Sequence, residues 1–409
     1  MNEFLGDNKI TVSFPRGWDV QEYPIADCSA PLAEKQMREP FYQPIGTETV
    51  SQLAKGKKGK VIITIDDLTR PTPVDQILPY VAEELNEAGI SDDQITILSA
   101  IGTHLPMKVE DFERKVGAAM LLRFDCVNHS VYEDFVDLGE TSMGTHLMVN
   151  KDFVEADLRI SICGSKKHPT AGASGGGKVV IPGVCSLETT KWNHTVIRAL
   201  ADNGPWDIKG NVERLDMQEA ARIAGLDIQV NCVYNSRRQI VGLYVGDVDE
   251  AWHEAVRHCY RVHALPPSSE KADIVVVNSY PMSAFGLDWS FASDALSEGG
   301  SAVGIHINST LGFGWHGDSK AFVTKQWRRW NMLRKGTVRP WPLKKADNIM
   351  IFDPRPTKSA KLRYSENVEW IADWSGIIER LRMIHGEKAT VAVYPSCLGF
   401  NPSKHPLKL

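Results

Sequence analysis

Short β-branched runs alternate with stretches of helical spacing along this chain, and that alternation constrains its fold more than any other feature. Residues 60–65 (Lys-Val-Ile-Ile-Thr-Ile) read as a buried strand. Val74, Ile77, Leu78, Val81 and Leu85 then recur at helical spacing, with Pro71 and Pro73 ahead of them and Gly89 behind. Pro79 inside this pattern predicts a later start or a kink. Residues 94–98 read as the next strand, and Val109, Phe112, Val116 and Met120 as one helical face. Residues 157–163 form a third strand pattern that leads into a glycine-rich loop. This βαβ rhythm implies an α/β fold with a mostly parallel, Rossmann-like sheet flanked by helices.

Farther along, 216–224 and 250–260 read as helices, and 228–233 and 240–244 as strands. A polar stretch with Pro and Ser over 263–271 marks a domain boundary. The expected division is an N-terminal catalytic and cofactor-binding domain over 1–265 and a smaller α/β domain over 266–409, with the active site in the cleft between them. The second domain opens with a strand over 272–278, then a helix over 290–298 and strands over 302–307 and 348–352.

Three polar clusters each follow a predicted strand: Asp66-Asp67-Leu68-Thr69-Arg70, Gly102-Thr103-His104 and Lys166-Lys167-His168. Ligands of open parallel sheets bind outside the carboxyl ends of the strands, so these clusters point to one converging site. Histidine is the acid/base nearest neutral pH and the commonest metal ligand. His104 and His168 stand out by their strand-end placement, whereas a single histidine elsewhere is more often structural.

Gly172-Ala-Ser-Gly-Gly-Gly-Lys178 fits most of a phosphate-binding P-loop, but Val179 stands where a Ser or Thr would hold magnesium. A glycine-rich anion-binding loop is the better reading, and an NTPase the weaker one. Lys plus Arg number 46 against 51 Asp plus Glu, a net charge of −5, which argues against a nucleic-acid or anionic-membrane partner. The longest apolar runs, 61–65 and 274–277, fall far short of the roughly 18 residues that cross a bilayer, and no secretory signal is seen. The seven cysteines are scattered without a Cys-x-x-Cys pair, as expected of reduced thiols in a cytoplasmic protein.

Taken in order, these segments resemble the nickel-pincer nucleotide-dependent lactate racemase family. Asp67-Leu-Thr-Arg70-Pro71 is similar to its Asp-x-Thr-Arg-Pro, and Gly102-Thr-His104 to its first catalytic-histidine loop. His168-Pro-Thr-Ala-Gly-Ala-Ser-Gly-Gly-Gly-Lys178 resembles its His…Ala-Gly-x-Ser-Gly-Gly-x-Lys segment at the same interval, and His194 follows Lys178 at the family spacing. The likeness covers roughly residues 40 to 260.

The resemblance implies a nicotinic-acid-derived mononucleotide that holds nickel through a ring carbon and two sulfurs, with His194 as the protein's metal ligand. Lys178 would carry this group through a thioamide bond. Asp67, Thr69, Ser174, Gly175 and Gly176 would also contact it, with Thr69 at a helix start serving the phosphate. His104 and His168 would act as bases on opposite sides of a 2-hydroxy acid, and Arg70 would orient its carboxylate. Asp67 would accept from a cofactor hydroxyl or orient Arg70. Separate biosynthetic enzymes would supply the cofactor.

The second domain departs from the family pattern. Lactate racemases place a Gln and a Lys where Asp288 and Phe291 stand here, and neither replacement can bind a carboxylate. Asp288, Trp289 and Phe291 therefore predict a pocket for a 2-hydroxy acid with a larger or more polar tail, such as a sugar acid. The alternatives are an alcohol or polyol epimerase or oxidoreductase on the same cofactor, and a non-catalytic protein that binds it.

Overall fold

The computed structural model of the chain describes residues 11–26, 30–132, 134–200, 204–267, 270–282, 292–306, 345–356, 361 and 367–409. The chain divides into two units, Cys28–Val262 with Ser403–Leu409, and Met1–Asp27 with His263–Pro402. A single cut at 265 does not describe this, because both ends of the chain cross over. β1 (Asp19–Glu22) pairs in parallel with Thr390–Tyr394, and the Lys408 N–H donates to the Trp206 carbonyl at 3.0 Å.

The larger unit is built on β2 (Val61–Ile65), β3 (Ile95–Ser99), β4 (Asp125–Asn128), a hairpin of β5 (Phe135–Glu140) and β6 (His146–Asn150), β7 (Leu158–Gly164), a short hairpin of β8 (Lys167–His168) and β9 (Gly172–Ala173), β10 (Ile228–Tyr234) and β11 (Ile240–Gly246). Its main sheet has the order β11-β10-β7-β2-β3-β4, parallel except for β11. The runs that read as strands are continuous in apolar residues because both faces of this sheet are covered. One cover brings Ile62 and Leu98 together with Val149, Phe153, Val180, Val184, Met217 and Ala220, all buried. Each such aliphatic side chain contributes roughly 1.5–3 kcal/mol when fully buried.

The helices of this unit are α1 (Glu34–Tyr42), α2 (Val50–Ala54), α3 (Val74–Glu87), α4 (Val109–Val116), α5 (Ala118–Arg123), α6 (Lys151–Glu155), α7 (Leu187–Trp192), α8 (Val212–Ile223) and α9 (Glu250–His263). α3 continues through Pro79, since Ile77, Leu78, Val81, Ala82 and Leu85 are all buried and their packing outweighs the lost hydrogen bond. The single helix expected over 109–120 is two, broken at Gly117, whose φ of 84° no helix accommodates.

The smaller unit has a parallel sheet in which β1 is followed by β16 (Thr390–Tyr394), β12 (Ala272–Asn278), β13 (Leu296–Ile305), β14 (Asn348–Phe352) and β15 (Val368–Ile371), with α10 (Trp374–His385) packed on it. The helix expected over 290–298 is contradicted at its end, where Leu296 already belongs to β13. Leu296 is drawn into the sheet opposite Ala272, and the paired strands then shift register. Among the described residues no helix is long and apolar enough to cross a membrane.

Candidate active site

The three polar clusters leave β2, β3 and β7, which are neighbours in the sheet and end on the same edge. The chain goes from β2 to β3 on one side, and β7 lies on the other. Strand order therefore reverses at β2, where the sheet edge opens to a ligand.

The turn after β2 is held by its own polar groups. The Asp67 carboxylate accepts from the Thr69 N–H at 2.6 Å through one oxygen and meets His104 Nδ1 at 2.5 Å through the other. Burial by itself would raise the Asp67 carboxyl, but the charge and hydrogen bond of His104, with Arg70 and Thr69, hold it well below the usual carboxylate range. An ionised Asp67 accepts the Nδ1 proton of His104, which places the ring lone pair on Nε2. Arg70 donates through Nη1 to Thr69 Oγ1 at 2.8 Å. Gly102 lets His104 approach this turn: its φ is 53°, and a Cβ there would meet the Pro182 carbonyl oxygen at 2.8 Å.

Beneath the turn lies Lys115 of α4, 2% exposed. Its ammonium pairs with Asp66 and donates to the carbonyls of Asp67, Arg70 and Thr72, each at 3.2 Å. Thr72 also donates to Asp66 at 2.5 Å. One buried cation thus gathers four acceptors of a loop that has no secondary structure to satisfy them.

The glycine-rich loop is clamped from three elements. Arg214 of α8 is fully buried and donates to the carbonyls of Ala171, Ala173 and Gly175. Its guanidinium lies 4.3 Å from the centre of the Trp252 ring, whose Nε1 donates to the Ser174 carbonyl at 2.8 Å. Gln218 accepts from the Gly177 N–H, and Gln229 of β10 donates to the Gly176 carbonyl at 2.9 Å. Gly176 has a φ of 62°, and a Cβ on it would meet Gln218 at 2.7 Å. Gly176 and Gly177 are therefore demanded first by close approach to α8. Residues 176–179 then make one 3-10 turn rather than the α-helix that a P-loop feeds, which removes the NTPase reading.

Lys178 projects from that turn. Burial, together with Arg214, Arg70 and Arg198 and against the pull of Glu213, holds its amine well below the usual lysine value. His168 stands on the short hairpin, where burial first, then Lys178, Lys166, Arg70 and Arg214, hold its imidazole well below the usual histidine value.

His194 lies in a π-helical turn, Asn193–Ile197, a local irregularity frequent at functional sites. Buried Asn193 donates through Nδ2 to Asp216 at 2.6 Å, so its Oδ1 faces His194 Nδ1, at 3.0 Å. That oxygen takes the Nδ1 proton and puts the ring lone pair on Nε2, the arrangement of a metal-ligating histidine. Asp216 is fixed in turn by the hydroxyls of Thr141 and Thr145. Arg198, just after this turn, makes a two-pronged pair with buried Glu213.

Several expected contacts take a different form. Thr69 lies in the turn ahead of α3 rather than at the helix start, and its N–H and hydroxyl serve Asp67 and Arg70. Asp67 meets His104 by hydrogen bond, and Arg70 acts on its carboxylate through charge. The Ser174 hydroxyl donates to the Gly164 carbonyl at 2.6 Å and accepts from the Lys166 N–H at 3.0 Å, so it braces the loop. Asp288, Trp289 and Phe291 lie outside the described residues. The sequence does not single out Lys115, Glu213, Arg214 and Asp216, because charged residues on helices read as a solvated face, nor Asn193, Gln218 and Trp252, which stand in no motif of their own. The dense charge of Val212-Glu-Arg-Leu-Asp-Met-Gln218 was the available signal.

Residues 5–204 match the family model described as the lactate racemase N-terminal domain. The lactate racemase of Lactiplantibacillus plantarum is 32% identical over 245 residues, 58% of this chain and 57% of its own length. That of Thermoanaerobacterium thermosaccharolyticum is 31% identical over 257 residues, 61% of this chain and 59% of its own. The matches thus span less than two thirds of these curated relatives. Among solved structures, the lactate racemase apoprotein from T. thermosaccharolyticum superposes with a TM-score of 0.68 at 20% identity, covering 93% of this chain and 94% of that one. A structural-genomics protein from Thermotoga maritima gives 0.59 at 18%, covering 89% and 97%. Both share the fold. Over residues 5–204, just under half of the chain, the likeness is to the lactate racemase N-terminal domain.

Proposed function

We propose that this protein is an isomerase that inverts C2 of a 2-hydroxy acid, using a nickel-pincer nucleotide bound at the β7-β2-β3 edge. The observation that carries this reading is the convergence there of an Asp67–His104 dyad, Arg70, His168 and a lysine whose amine burial holds well below its usual value.

The residues present fit such a group. Among the described residues no set of three or more His, Cys, Asp or Glu could hold a metal. A metal at His194 would thus take its other donors from the group it arrives with, and sulfur donors beside an imidazole suit nickel(II). A neutral amine is the form of Lys178 that can bond covalently to an acyl-type carbon. When bound, the group supplies an electrophilic ring for the C2 hydrogen, which avoids a carbanion.

The chain's own residues do the rest. Arg70, steadied by Thr69, binds the substrate carboxylate. His104 offers Nε2 to the hydroxyl proton, and Asp67 stabilises the imidazolium that results. The glycine loop and α8 hold Lys178 in place. The substrate is a 2-hydroxy acid with a larger or more polar tail than lactate, a reading supported by Asp288 and Phe291 in the sequence. Enzymes that build the cofactor are its partners.

Loading the protein with the pincer nucleotide is expected to add one cofactor mass on intact-protein mass spectrometry, and Lys178→Ala is expected to show none. An equal adduct on the variant would remove Lys178 as the attachment point. The function itself is tested by turnover of enantiopure 2-hydroxy acids.

A further inference from the structure

We propose that Asp216 is a positioning residue for the metal: from α8 it locks the Asn193 amide, and through that amide the tautomer of His194, so that Nε2 is left to bind nickel. This deepens the reading above and rests on it, since His194 is the ligand there.

Asp216 is fully buried, and its carboxylate accepts three hydrogen bonds. Oδ1 takes the Thr141 hydroxyl at 2.6 Å. Oδ2 takes the Thr145 hydroxyl at 2.8 Å and Asn193 Nδ2 at 2.6 Å. Both threonines are buried and lie in the turn between β5 and β6. The Thr145 N–H donates to Thr141 Oγ1 at 3.2 Å, which leaves that hydroxyl its own proton for Asp216. The two threonines alone would tie the hairpin to α8. The third bond goes to the residue beside His194.

A carboxylate has no proton to give, so it holds an amide one way round. With Nδ2 on Asp216, Asn193 Oδ1 lies 3.0 Å from His194 Nδ1 and receives its proton. Reversed, the amide would set oxygen against oxygen at Asp216. Asn193 is fully buried, so water does not take up a mispaired group there. The tautomer of His194 is therefore chosen by a carboxylate on another helix.

The placement of α8 carries this further. Glu213 and Asp216, three residues apart, share one face and serve the His194 segment, Glu213 through Arg198. Arg214 and Gln218, four apart, share another and hold the loop that carries Lys178. One helix thus fixes both points at which the chain would hold the nucleotide.

The test has two readouts besides turnover. The first is 15N NMR of the histidine-labelled apoprotein at about pH 8.5, where an ordinary imidazole is neutral. The His194 signal, identified by its loss in His194→Gln, is expected to show a proton on Nδ1 and none on Nε2. A proton on Nε2 would overturn the proposal. Asp216→Asn keeps the shape but offers an N–H, so the Asn193 amide can reverse. The proton is then expected to move to Nε2, the site that a free imidazole favours. Asn193→Leu also keeps the shape, leaves Asp216 its two threonine donors, and is expected to give the same shift. An unchanged His194 in either variant would show that the tautomer is set elsewhere, and the proposal falls. The second readout is metal retention in protein loaded with the pincer nucleotide. Both variants are expected to keep the Lys178 adduct mass and to lose nickel to excess EDTA about 10–100-fold faster. Loss at the wild-type rate would leave Asp216 as a tie between hairpin and helix and nothing more. Wild-type protein that takes up neither adduct nor nickel would remove the cofactor reading instead, and the apoprotein spectra still decide the link from Asp216 to His194.

Discussion

Asp67→Asn is expected to lower kcat of the loaded enzyme by about 10²–10⁴-fold while KM changes little. The size follows from the tautomer. The Asn amide can donate to His104 Nδ1 where the carboxylate accepted from it at 2.5 Å, so the imidazole proton moves to Nε2 and the base is lost. The fold of the turn is barely disturbed, since the Asn oxygen can still accept from the Thr69 N–H. Steady-state kinetics on the variant decide the point. A fall of less than about tenfold would show that His104 does not work through Asp67.

The largest stability effect is expected at Lys115, beneath the 66–72 turn. Lys115→Met removes the one cation that gathers Asp66 and the carbonyls of Asp67, Arg70 and Thr72. Breaking a buried ion pair from one side costs about 3–5 kcal/mol, because the carboxylate stays behind without its partner. Denaturant unfolding followed through the buried Trp206 and Trp252 should show the unfolding free energy falling by that amount, as a lower midpoint at unchanged slope. A loss under about 1 kcal/mol would show that the 66–72 turn is held by its own short-range bonds. In the folded remainder of the variant, Asp67 and His104 should lose their fixed register, so activity falls with stability.

These two residues mark what could and could not be read beforehand. β2, β3 and β7 were legible because a parallel strand covered on both faces is a continuous apolar run. The clusters that follow them were legible because polar residues at strand ends have few structural reasons to be there. Lys115, Glu213, Arg214 and Asp216 were not, since nothing local distinguishes a lysine on a helix surface from one that reaches carbonyls far away in sequence. Their partners are set by which strands become neighbours. β1 escaped notice because Asp-Val-Gln-Glu has no apolar alternation, and it is held as an edge strand by its pairing with β16. The tautomer of each imidazole was also beyond the sequence, because it depends on what Nδ1 meets, a carboxylate at His104 and an amide oxygen at His194.

Inversion at C2 of a hydroxy acid is measured by incubating the loaded protein with a panel of enantiopure 2-hydroxy acids, lactate and sugar acids included, and resolving the products by chiral chromatography. At least one polar-tailed acid is expected to be converted to its C2 epimer, and faster than lactate. Retention of configuration across the whole panel by protein that carries the Lys178 adduct would contradict it.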